Sequence, residues 1–179
     1  MFIAHLPAGY LTAATAQRFG LWSRGLMLSC LAGAHIPDID LAYGYLVDDG
    51  RLHHHLYWTH YPIFWLVLLL LSTLAWWRAR RKSWAIALFF FCGSAFIHLL
   101  LDAIAGDIPL LAPWSMRLYS CVEVGTRFEP WWLNFLMHWT FVLELALCAA
   151  AAAIFMRRSC HSLRRTIRRC SAACTQAES

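Results

Sequence analysis

The sequence predicts an all-α, polytopic membrane helix bundle of about five membrane segments, the first two short or re-entrant, with a metal site at its non-cytoplasmic end. Three observations carry this. Of 179 residues, 60% are hydrophobic and 14% charged, with mean hydropathy +0.52, whereas a soluble domain carries about 25% charged residues. The apolar residues fall in runs near the length a helix needs to cross the hydrocarbon core, where backbone polar groups must be satisfied within the segment. The basic residues cluster beside those runs, the positive-inside pattern, which accounts for the net charge of +5 without a nucleic-acid partner.

The first two runs, residues 2–19 and 25–36, are short and interrupted by Gly, Pro and His, so they read as short tilted spans or a re-entrant pair. Arg18 and Arg24 lie in their connection. The N-terminal run lacks a basic start and is broken by His5 and Pro7, so no cleaved signal peptide is expected. Residues 62–77 form an almost unbroken apolar run ending at Arg78. A second such run covers 84–105, and a third covers 131–156 and ends at Arg157. Trp76, Trp77, Trp84, Trp131 and Trp132 mark the run ends, as an aromatic belt does. Residues 1–156 thus form the membrane domain. Residues 157–179 form a basic cytoplasmic tail, either disordered or an amphipathic helix on an anionic leaflet, where it could also dock a cytoplasmic protein. The seven cysteines are spread without a CxxC pair and read as small core residues; Cys160, His161, Cys170 and Cys174 fit no zinc module.

With the basic clusters at 78–82 and 157–169 in the cytoplasm, five crossings place the loops 37–61 and 106–130 outside. The histidines and aspartates then gather on that outer side, although none of them entered the charge argument. His5 starts the first segment, and Asp38 and Asp40 end the second. His53, His54, His55 and His60 precede the third, and His98 and Asp102 end the fourth. His98 and Asp102 are four apart on one helix face and can share one ion. A carboxylate at the end of an apolar run points to function. Nitrogen and oxygen donors without cysteine suit one or two divalent ions, zinc first, with manganese or iron as alternatives. Any histidine of the 53–55 triplet can be the ligand. His138 by itself reads as a packed core residue. Glu144, mid-span, reads as protonated, paired with an arginine, or partnering a ligand histidine.

Several of these pieces together resemble a known family. They are His5-Leu6 with Gly9, Pro37-Asp38-Ile39-Asp40, His55 to Thr59-His60, His98-Leu99-Leu100-Leu101-Asp102-Ala103, and the stretch from Gly106 to Ser115. In order and spacing they resemble the YdjM-like group of inner-membrane proteins assigned as metal-dependent hydrolases. The resemblance implies a multi-pass protein of the bacterial inner membrane with His5, Asp38, His55, His60, His98 and Asp102 as ligands. It is similar in kind, more loosely, to zinc-dependent phospholipase C. One position departs: Leu56 stands where the family has Arg. If that Arg clamps a phosphate, Arg51, Arg117 or Arg127 must take its place.

The leading expectation is therefore a metal-dependent hydrolase acting on a lipid or phosphoester at the outer face. Asp40 is its candidate bridging ligand or general base, His54, His138 and Glu144 support the ligands, and the apolar loop carrying Asp107 and Trp114 meets the substrate. A metal-binding or transporting protein without catalysis is the alternative.

Overall fold

The computed structural model describes residues 3–49, 52–79 and 82–177. Its regular elements are helical: α1 (His5–Arg18), α2 (Arg24–Gly33), α3 (Ile39–Leu46), α4 (Pro62–Arg78), α5 (Ser83–Ala105), α6 (Trp131–Leu136) and α7 (Thr140–Ala177). Three 3-10 turns, Ile36–Asp38, His54–Leu56 and Trp58–His60, lie between α2 and α4. The local chemistry of the chain explains several boundaries. Ser23 caps α2 by accepting the Leu26 N–H. Pro62 sits in the first turn of α4, where no intrahelical N–H is needed. Gly106 closes α5, its N–H on the Asp102 carbonyl.

The helix α5 is the centre of the fold, with α2 and α4 packed along it and α1 beside α2. Small residues set these spacings, as is usual between helices in lipid. A Cβ added at Gly33 would stand 2.2 Å from the Phe91 carbonyl oxygen, so α2 and α5 touch backbone to backbone. A Cβ at Gly9 would meet Ala34 Cβ and the Cys30 carbonyl at 2.8 Å, so α1 and α2 are equally close. One buried cluster joins Ala13, Ala16, Leu26 and Cys30. A second, beneath the site, joins Trp65, Ala95, Leu99 and Ile108. The loop after α5 folds back over its end: Ile108 and Tyr119 pair through their backbones, and the Cys121 N–H reaches the Ala103 carbonyl.

The expectation of about five membrane segments is corrected here. Two helices are long and apolar enough to span: α5, with 23 residues, and the Thr140–His161 part of α7, with 22. Of their apolar windows 33% and 17% are buried, whereas the core helix of a soluble protein would be mostly buried. The other expected segments fall short for a physical reason. At 14 and 10 residues, α1 and α2 measure about 21 and 15 Å, against a core of about 30 Å. The α4 helix has 17 residues, about 26 Å. The expected run at 131–156 is interrupted, since α6 ends at Leu136 and α7 starts at Thr140. From there α7 continues unbroken past residue 157 to Ala177. Arg51, Arg80 and Arg81 lie outside the described residues, as do the side chains of the tail beyond His161.

Candidate metal centre

The site grows from the last two turns of α5. His98 and Asp102 project from one face, with His98 Nε2 2.9 Å from Asp102 Oδ2. The other nitrogen of His98 lies 2.8 Å from the carbonyl oxygen of Ala34, the residue that ends α2. A carbonyl can only accept, so Nδ1 carries the proton and Nε2 of the neutral ring presents a lone pair to the site. The tight α2–α5 contact at Gly33 is what brings that carbonyl within reach.

His60 repeats this arrangement from another direction. It ends the 3-10 turn Trp58–His60, which Trp65 pins by donating from Nε1 to the Thr59 carbonyl at 2.6 Å. His60 Nδ1 lies 2.5 Å from Asp40 Oδ2, which also accepts from the Thr59 hydroxyl. Its Nε2 faces Asp102 Oδ2 at 3.7 Å and Asp38 Oδ1 at 3.9 Å. Asp38 closes the ring from the turn Ile36–Asp38, 3.4 Å from His98 Nε2.

One ligand atom each from Asp38, His60, His98 and Asp102 lies within 4.8 Å of the other three. The four nitrogen–oxygen separations run from 2.9 to 3.9 Å. Ligands at about 2.0–2.2 Å from a tetrahedral ion stand about 3.3–3.6 Å apart. The Nε2 atoms of His60 and His98 are both buried without a hydrogen bond, which costs about 1–3 kcal/mol apiece in a protein interior. An ion among the four side chains relieves both. The donor set therefore fits a divalent cation.

The remaining expected residues fall at graded distances. His5 and His55 flank Asp102: His5 Nε2 is 3.3 Å from Oδ1 and His55 Nε2 is 3.9 Å from Oδ2. The His5 ring also stacks on His98 with centroids 3.7 Å apart. Gly106 makes room for His55, since a Cβ there would sit 3.1 Å from its ring. Asp40 stands behind His60, outside the group of four. His54 packs on His55, centroids 4.0 Å apart. His138 is placed elsewhere, its Nδ1 2.9 Å from the Thr140 hydroxyl at the start of α7. Glu144 is buried on α7 and accepts the Ile3 N–H at 2.7 Å, next to the start of α1. Asp107 is exposed in a left-handed turn (φ 53°). Trp114 is 80% exposed and does not line the cavity beside the cluster. Arg117 lies over the Tyr119 ring instead of in the site.

That cavity holds about 330 Å³. Asp38, His53, His54, His55 and Asp102 are its polar lining, and Leu41, Trp131 and Phe135 supply an apolar wall. Sequence reasoning missed this apolar wall, because α3 and α6 approach the cluster only through the tertiary fold. It also missed the hydroxyl of Thr59 and the carbonyl of Ala34. The Thr59 signal was available in its place next to His60. A backbone carbonyl leaves no trace in a sequence.

The electrostatics outside the spans favour ligand binding. Burial alone would raise the Asp38 carboxyl, but the His98 imidazole beside it, then the charge of His5, hold it below its ordinary value. Burial pushes His55 down to about 2 and His54 down to about 4, so both are neutral donors at neutral pH. Burial would also lower His60, but the carboxylates of Asp102 and Asp40, one facing each ring nitrogen, outweigh that and raise it.

No curated protein and no solved structure matches this chain. A family model described as YdjM inner membrane protein matches residues 1–162. With the cluster falling within that stretch, the chain belongs to the YdjM inner membrane protein family.

Proposed function

We propose that this protein is a multi-pass, membrane-bound metal-dependent hydrolase that acts on a lipid phosphoester at the outer face of the inner membrane. One observation carries the reading: two buried, unbonded imidazole nitrogens converge with two carboxylates beside a cavity lined by both polar and large apolar side chains. Asp38, His60, His98 and Asp102 hold the cation. Zinc is the first candidate for two nitrogens and two oxygens, with manganese or iron next. When bound, the ion supplies Lewis acidity and makes water acidic enough to act as a nucleophile near neutral pH.

The chain's own groups do the rest. Asp40 and the Ala34 carbonyl hold the Nδ1 protons of His60 and His98 and so aim both Nε2 atoms, the usual way outer groups orient ligand histidines. Asp40 accordingly acts through His60, as a positioning residue. His55 borders the cavity as a neutral imidazole, held so by burial, and offers a lone pair to a ligand rather than acting as a base. His5 and His55 also extend the donor set around Asp102 towards a second ion. The wall of Leu41, Trp131 and Phe135 takes the apolar part of an amphiphile and keeps bulk water away. Sidedness follows from the basic residues: Arg78 and Lys82 sit at the end of α5 opposite His98 and Asp102, which puts the cluster outside.

Elemental analysis of the purified protein, with hydrolysis assays on lipid phosphoesters, tests the reading. About one equivalent or more of divalent metal is expected in the native protein, and loss of both metal and hydrolysis in His98→Ala and Asp102→Ala. Undiminished metal in both variants sinks the site. Metal flux into liposomes without hydrolysis would favour the transporting alternative.

A further inference from the structure

A second feature lies at the other end of α1 and α7. Ala14 is nine residues past His5 on one helix, about 14 Å further along it. There Arg158, on α7, donates from Nη2 to the Ala14 carbonyl at 3.0 Å. Its guanidinium stands over the rings of Tyr10, at 5.9 Å, and Trp22, at 5.8 Å. Its Nη1 is buried and has no hydrogen-bond partner. Among the described residues no carboxylate pairs with it. A cavity of about 620 Å³ opens at this point, its walls including Gln17, Trp22, Arg158 and His161. Tyr10 and Phe155 line that cavity and also a second one, of about 310 Å³, whose other walls are apolar: Leu6, Pro7, Leu31, Ala151 and Ala152. The two adjoin at these rings. A polar cleft with an unsatisfied cation leads into an apolar groove that runs back along α1 and α7.

We propose that this is a seat for one anionic glycerophospholipid, its phosphate on Arg158 and one acyl chain in the groove between α1 and α7. A buried guanidinium donor without a partner favours an anionic oxygen, to which its hydrogen bond is strongest. Arg158 stands near the end of the apolar stretch Thr140–His161, at the depth where lipid phosphates lie. A free phosphate would leave the groove empty, whereas a phospholipid fills both parts. A phosphatidylcholine carries a cation next to its phosphate and gains less from Arg158. The bond from Nη2 to Ala14 accounts for Arg158 as a strut between helices, but not for Nη1 or for the groove.

Native mass spectrometry of the full chain in mild detergent tests this, with added phosphatidylglycerol, phosphatidylcholine or inorganic phosphate. The native protein is expected to retain one phosphatidylglycerol, about tenfold more strongly than phosphatidylcholine, and to lose that preference in Arg158→Gln. Ala152→Phe, which fills the groove and leaves the Arg158 contacts intact, is expected to reduce retention of the same lipid. If Arg158→Gln fails to give a monodisperse protein, Ala152→Phe decides by itself: reduced retention supports the seat and unchanged retention overturns it. Equal retention of the two lipids, or inorganic phosphate that competes as well as the lipid does, also overturns it.

Discussion

His60 and His98 reach the same geometry by different means. A carboxylate behind His60 and a peptide carbonyl behind His98 each fix one ring nitrogen so that the other is free for an ion. Asp40→Asn keeps the shape but loses the charge behind His60, and metal affinity is expected to fall about 10–100-fold, measured by competition with a chelator of known affinity. Thr59→Val removes the second donor to Asp40 and is expected to act in the same direction but less. The raised His60 gives a pH dependence whose sign is fixed. A histidine with a raised value holds its proton further into the neutral range, so metal must displace it, and affinity falls as pH drops. Titration calorimetry in buffers of different ionisation heat is expected to show proton release on metal binding that Asp40→Asn reduces, because that variant removes one of the interactions raising His60. His54 and His55, held down to about 4 and 2, contribute no proton at neutral pH. The ligand types were legible because histidine and aspartate at spacings 60, 98 and 102 stand out from an apolar background. The role of Asp40 was not, since ligand and orienting carboxylates differ only in which nitrogen of His60 they meet.

The helices set these contacts through their spacing. Gly33 lets α2 lie against the backbone of α5, one residue before the carbonyl that holds His98. Gly33→Ala forces the two apart and is expected to cost about 1–3 kcal/mol of stability and to weaken metal binding, read by thermal unfolding with and without metal. Gly25→Ala, whose nearest neighbour is Ser23 Oγ at 3.8 Å, is the control and should leave metal binding unchanged. Helix type was legible along the chain because hydrophobic runs next to arginines leave few alternatives in lipid. Helix length was less so. The run at 131–156 is continuous in hydropathy, yet His138 and Thr140 bond each other there and α7 begins afresh. The 3-10 turns carrying Asp38, His55 and His60 were not legible, because their shape depends on Trp65 and the packing of α3.

At the scale of the whole molecule, the proposed sidedness puts ligands at one end and arginines at the other. Cys121 is exposed in the loop after α5. In a background with the other cysteines replaced, a membrane-impermeant thiol reagent is expected to label Cys121 from the outside of intact spheroplasts. A cysteine placed at Lys82 should react only after the membrane is opened. The reverse pattern would place the cluster in the cytoplasm.

The ligands and the aromatic part of the apolar wall belong to different parts of the chain. All four metal-facing side chains lie between Asp38 and Asp102, while Trp131 and Phe135 of the wall come from α6, beyond the loop. Under the proposed function, chemistry and choice of substrate are thus separable: α6 can be exchanged in a chimera without touching a ligand. Swapping residues 131–136 should redirect which acyl chain is accepted and leave the stoichiometry of bound metal as it was.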